Sequence, residues 1–95
     1  MSVGILTLTL HLPDSHSLKD KRRILSPILA RLHKEFNISV IESGHQDVWQ
    51  SSELTVVCAA NTGPLAEKTL TQVRQFYDAH WPDVPVAGEH IEILV

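Results

Sequence analysis

His45 and Asp47 stand two residues apart in the segment Gly44-His-Gln-Asp-Val-Trp-Gln50, with a tryptophan and two amides beside them. A histidine and a carboxylate can exchange protons with a reacting group when both line a pocket. The same His-x-Asp spacing offers two ligands of a metal site, and a catalytic zinc centre needs a third. His11, His16 and Glu42 could converge there, although no ligand spacing links them. A structural reading accounts for the segment without any ligand. Gly44 permits a positive φ. Asp47 can cap a short turn by accepting from backbone N–H groups ahead of it. Trp49 can bury its ring over the end of a core and give its N–H to a carbonyl. His45 and Gln46 are then the residues left to meet a partner. Structure or partner contact outweighs catalysis, because no catalytic constellation is complete. Phosphate-cradling glycine loops, paired zinc cysteines and nucleophile elbows are absent, and no cofactor is expected.

The second chemical feature is charge. The chain carries a net −3, which by itself does not suggest nucleic acid. Its distribution says more. Six of the eight Lys and Arg residues fall between positions 19 and 34, with Asp20 as the only carboxylate among them. Lys68 and Arg74 are the remaining cations, against ten carboxylates. On a helix, Lys19, Arg22, Arg23, Ser26, Ala30, His33 and Lys34 share a sector of roughly 120°. No carboxylate falls in it. Such a ridge could contact phosphates through Lys19, Arg22, Arg23 and Lys34, although a charge run is more often simply a solvated helix face. Lys21 and Arg31 fall outside the sector, where their stems can snorkel along the edge of a core.

The elements that must position these residues are legible from periodicity. Val3 to Leu12 alternates, with Gly4, Leu6, Leu8, Leu10 and Leu12 on one face and Thr7, Thr9 and His11 on the other. Ser17-Leu-Lys-Asp20 has capping-box spacing, so a helix should start at Leu18. Its apolar stripe is Leu18, Leu25, Ile28, Leu29, Leu32 and Phe36. Pro27 interrupts it at a cost of about 3 kcal/mol unless a kink absorbs the strain; the stripe stays in register, which favours one kinked helix. Ile38 to Ser43 and Glu53 to Ala60 read as strands. Pro64 suits a place near the first position of a second helix, with Leu65, Leu70, Val73 and Phe76/Tyr77 on its stripe, ending before Trp81-Pro82. Pro82 to Gly88 reads as loop and His90 to Val95 as a short last strand.

The order βαββαβ, with one greasy face per strand and one stripe per helix, predicts an α+β ferredoxin-like plait. Its four-stranded antiparallel sheet carries two helices on one face. Right-handed crossovers place strands one and three in the centre. Residues 1–95 form a single domain. The other sheet face has no aromatic to stack a base and no charge run, which makes it a candidate for pairing with a second copy. The lone Cys58, in a strand-like run, reads as a buried structural thiol. With the N-terminus lacking the basic segment of a signal peptide and no apolar run long enough to span a membrane, the protein is expected in the cytoplasm.

Ser17-Leu-Lys-Asp-Lys-Arg-Arg23, Phe36-Asn-Ile-Ser-Val40 and Gly44-His-Gln-Asp-Val-Trp-Gln50 together resemble the YlxP-like family of bacterial proteins, at matching separations along the whole chain. The chain departs from that pattern at Pro27. The resemblance implies a ferredoxin-like fold but no reaction. Members are often encoded beside translation and ribosome-maturation factors, which implies an RNA or ribosomal connection. Three expectations follow. The first is a non-catalytic RNA- or ribosome-binding protein acting through the basic helix. The second is a dimeric interaction module using the open sheet face. The third is a small enzyme or metal protein centred on His45 and Asp47.

Overall fold

The computed structural model describes all 95 residues, Met1–Val95. Its elements are β1 (Ser2–His11), α1 (Leu18–Glu35), β2 (Ser39–Gly44), β3 (Ser51–Ala60), α2 (Gly63–His80) and β4 (Val86–Leu94). The sheet order is β2-β3-β1-β4 with every pair antiparallel. The ferredoxin-like plait is therefore present, with β1 and β3 central. β1 and β3 pair from Ser2 opposite Ala60 to His11 opposite Ser51. β1 is buried at every even position from Ser2 to Leu12, as its alternation requires when one face meets the helices.

α1 lies over β2, and α2 over β1 and β3. Ser17 caps α1, its hydroxyl accepting from the Asp20 N–H at 3.0 Å. Asp20 reaches back to the N–H of His16, not of Ser17, at 3.0 Å. The helix runs unbroken through Pro27, whose ring is exposed. The carbonyl that loses its helix partner there belongs to Arg23, itself an exposed residue, so water can serve it. On α2, Thr62 is the cap and Pro64 sits in the first turn.

The packing moves the buried stripe of both helices. Leu18 is exposed, and the buried stripe of α1 is Lys21, Leu25, Ile28 and Leu32. On α2 the stripe begins at Ala66, while Leu65 faces solvent. The cause lies in β1: a Cβ on Gly4 would stand 3.0 Å from Leu70 Cδ1, 3.1 Å from Cys58 Sγ and 3.3 Å from Ala66 Cβ. A helix this close to the sheet must present a small residue at the crossing, and Ala66 is smaller than Leu65. Cys58 is buried, its thiol directed at the Ala66 carbonyl at 3.8 Å.

β4 starts earlier than the sequence pattern indicates. Val86 pairs with Leu10 and Gly88 with Thr9, so Ala87 is an extra residue, a bulge that disrupts the alternation of the strand. The turn before β4 is held by Tyr77, whose hydroxyl donates to the Val84 carbonyl at 2.6 Å. Burial pushes the Tyr77 phenol well above its usual range; nearby Arg74 opposes the shift and Asp78 adds to it. The same end of the helices is closed by rings: Phe36 meets Phe76 edge-on, and His80 stacks on Phe76 at 3.9 Å.

Candidate functional site

The β1–α1 and β2–β3 connections meet at one end of the sheet. The Leu12 N–H donates to the Gln50 carbonyl at 3.0 Å, and the Gln50 amide reaches the Pro13 carbonyl at 3.5 Å. Beneath them lies a charged residue from the buried stripe of α1. Lys21, only 2% exposed, donates from Nζ to the His45 carbonyl, to the Val48 carbonyl at 2.8 Å and to Glu42 Oε2 at 2.8 Å. An ammonium has three N–H donors, and all three are used. Glu42 accepts a further bond from the buried Ser52 hydroxyl at 2.7 Å. The side chains of Lys21 and Glu42 are 3% and 23% exposed, so this is a nearly dry ion pair whose bonds are all satisfied.

This cluster reverses the expected roles in the loop. Trp49 is 54% exposed, not buried. The space it would need under the loop is occupied by the Lys21 ammonium, Glu42 and Ser52, which offer an indole no apolar seat. Asp47 is exposed, and the turn is closed without its carboxylate, by the Val48 N–H on the His45 carbonyl at 3.0 Å. Gly44 does not use a positive φ; His45 does, at 60°. Gly44 instead ends β2 opposite Glu53, after a register shift, where a Cβ would come within 3.1 Å of the Glu53 carboxylate. His45 and Gln46, expected to be free, are engaged: His45 Nδ1 lies 2.7 Å from Ser51 Oγ, and the Gln46 amide reaches the Glu42 carbonyl at 3.4 Å.

The geometry does not assemble the catalytic reading of His45 and Asp47. The His45 ring pairs with Ser51 and lines neither of the two depressions flanking the loop, whereas Asp47 lines both, so the two residues do not face one pocket together. No carboxylate is hydrogen-bonded to the far nitrogen of that ring, so a hydroxyl nucleophile there would lack an oriented base. No group of three or more His, Cys, Asp or Glu side chains is placed to hold a metal ion, so His11, His16 and Glu42 do not converge.

The basic residues behave differently. Lys19, Arg22, Arg23 and Lys34 are all exposed, and none has a carboxylate within ion-pair distance. Arg31 is tied to Glu35 at 2.9 Å, and Arg74 to Asp78 and Glu89. His33 leaves the ridge, its Nε2 3.2 Å from the Val40 carbonyl on β2. Arg22 and Ser26 also form one wall of a cleft of about 250 Å³ whose opposite wall is Gln46 and Asp47, with Lys21 and Glu42 at its base. Asp47 then borders a second, open groove with His16, Val48, Trp49 and Gln50. The ridge and the loop thus form one continuous surface.

Sequence reasoning missed the Lys21–Glu42 pair, and a signal for it existed. Lys21 lies four residues before Leu25 and seven before Ile28, which puts it on the buried stripe. Glu42 lies two after Val40, which puts it on the buried face of β2. Opposite charges on two inward faces predict each other.

The model of a family described as Protein of unknown function (DUF503) matches residues 3–90. The Bacillus subtilis (strain 168) protein called Uncharacterized protein YlxP is 37% identical over 71 residues, covering 75% of this chain and 76% of that one. Among solved structures, a de novo designed protein with ferredoxin fold superposes with a TM-score of 0.55 at 12% identity, covering 98% of this chain and 84% of that chain. LarC2, the C-terminal domain of a cyclometallase involved in synthesis of the NPN cofactor of lactate racemase, gives a TM-score of 0.46 at 14% identity, covering 98% of this chain and 54% of that chain.

Proposed function

We propose that this chain, which belongs to the DUF503 family, is a non-catalytic protein that binds RNA through the exposed face of α1. One observation carries the reading. Five Lys and Arg side chains stand outside ion pairs, and four of them, Lys19, Arg22, Arg23 and Lys34, project from this helix. A solvated face that served only solubility would gain from mixing signs, as Arg31 and Glu35 do one turn apart. Segregated, unneutralised cations on an otherwise acidic chain attract a polyanion, and small Ser26 and Ala30 between them let a backbone approach. The sheet supports the helix as the binding face, because no strand carries an aromatic for stacking.

The test is RNA affinity against salt. Four phosphate contacts give a log–log slope of roughly −3 to −4. Reversing Arg22 and Arg23 to glutamate should abolish binding and leave the fold intact, since both are exposed. Affinity indifferent to salt, or surviving that reversal, refutes the proposal.

A second reading has its own observation. Ile41 and Leu94, 60% and 48% exposed, lie on the helix-free sheet face with Val3, Ile5 and Val57, and that face bears no Lys or Arg. A twofold dimer through this face would cover them. Analytical ultracentrifugation should then show a dimer that Ile41→Glu dissociates; a monomer at high concentration rejects it.

A further inference from the structure

We propose that the open groove beside Trp49 is a base-binding subsite that prefers guanine in a single-stranded RNA whose backbone runs along α1. The inference rests on the phosphate-binding reading of that helix and adds what the loop does there. Three observations lead to it.

Trp49 presents more than half of its surface to solvent, next to the half-exposed Val48, in a groove it shares with His16, Asp47 and Gln50. An indole set out in water on a chain of this size has no part in the core. It suits a planar occupant, since a base stacked on an aromatic ring is bound through its π-face.

The loop is also held in place. Its main chain is gripped at the His45 and Val48 carbonyls by buried Lys21, and Gln50 is tied across to Leu12 and Pro13. The ring therefore stands on a fixed platform, which lowers the ordering cost of binding.

Finally, the surface around Trp49 assigns its occupant. Asp47 lines both this groove and the cleft whose other wall holds Arg22. The Asp47 carboxylate takes no part in the bonds that fix the loop. A free carboxylate repels phosphate, so a purely backbone-binding surface would not place one here. It matches a pair of adjacent donors, and among the four bases only guanine presents two on its pairing edge, N1–H and N2–H. An unpaired base with that edge turned to Asp47, its face on Trp49 and its phosphate toward Arg22 satisfies the groove and the ridge together.

The experiment is fluorescence anisotropy with labelled uridine-rich RNA of about ten nucleotides carrying one central G, A or C, in about 50 mM salt. The G-containing RNA should bind at least about fivefold more tightly than the others. Trp49→Ala should weaken binding roughly tenfold, in line with one lost stacking contact, and Trp49→Phe should recover most of it. Asp47→Asn should erase the preference for G while leaving binding of the A and C probes unchanged or stronger. Equal affinity for the three probes, or a Trp49→Ala protein that binds as well as the parent while the Arg22/Arg23 reversal abolishes binding, overturns the subsite and leaves the ridge standing. A parent protein that binds none of the probes overturns the ridge itself, and with it a nucleic-acid occupant in favour of a protein one. Circular dichroism of the variants guards against misfolding, which the exposure of Trp49 and Asp47 makes a remote cause of any loss.

Discussion

Replacing Lys21 with methionine tests whether one ammonium organises this end of the molecule. The methionine keeps most of the buried stem volume and removes only the charge and its three donors. Glu42 would then be a partly buried carboxylate left with the Ser52 hydroxyl, and the His45 and Val48 carbonyls would lose a donor. Removing one partner of a buried ion pair costs about 3–5 kcal/mol. Glu42 retains 23% exposure and a hydrogen bond, and the two carbonyls sit in a loop that water can reach, so the lower end applies, about 3 kcal/mol. That is a large share of the roughly 5–15 kcal/mol that stabilises a domain, and it should lower Tm by about 12–24 °C. Urea unfolding followed by circular dichroism gives the stability. Native-state hydrogen exchange gives the location: the Val48 and Leu12 amides, bonded to His45 and Gln50, should lose protection before the amides of β1 and β3. A second substitution, Glu42→Met, should recover part of the loss, because it removes the orphaned charge. A Lys21→Met protein within about 0.5 kcal/mol of the parent, with Val48 exchange unchanged, would refute the assignment of Lys21 as the organiser of the loop.

Tyr77 predicts an alkaline effect. Its buried phenol stays protonated in the folded chain above pH 10.0, the ordinary value at which the unfolded chain's phenol ionises. The unfolded state then binds fewer protons, so stability should fall as pH rises past about 10, by up to about 1.4 kcal/mol per unit, until the folded phenol also ionises. Urea midpoints at about pH 9 and about pH 11 for the parent and Tyr77→Phe should differ in slope, the variant being the flatter. Gly4→Ala should cost about 1–3 kcal/mol by forcing Leu70, Cys58 and Ala66 apart, and Ala66→Gly in the same chain should return part of it if the crossing distance is the cause. Pro27→Ala should raise stability by about 2 kcal/mol, read as a higher urea midpoint, because it restores the bond to the Arg23 carbonyl and relieves the ring's crowding.

Most of the fold is legible because local patterns and the packed structure ask the same thing of each residue. The even positions of β1, the Ser17 cap and the Pro64 helix start act within a turn or a strand, and they appear where periodicity puts them. The departures all need information from elsewhere in the chain. Leu65 and Ala66 compete for one stripe, and Gly4, sixty residues earlier, decides between them. β4 hides its first residues behind the Ala87 bulge, which breaks a period of two. The loop shows the widest gap between sequence and structure. A tryptophan between strands reads as a core residue until a lysine from α1 is found occupying its place. The basic residues were placed correctly on an exposed face by helical geometry alone, but their lack of partners is a tertiary fact.

Lys21 holds the loop by main-chain oxygens, which every amino acid supplies. The course of the segment is therefore uncoupled from the identity of the side chains at Asp47, Val48 and Trp49, none of which bonds to the rest of the loop. Such a segment can exchange its exposed residues without renegotiating the fold, as a fixed tool holder accepts different bits. A library randomised at those three positions, with Lys21, Glu42, Gln46 and Ser52 left in place, should yield mostly folded members that differ in what they grasp.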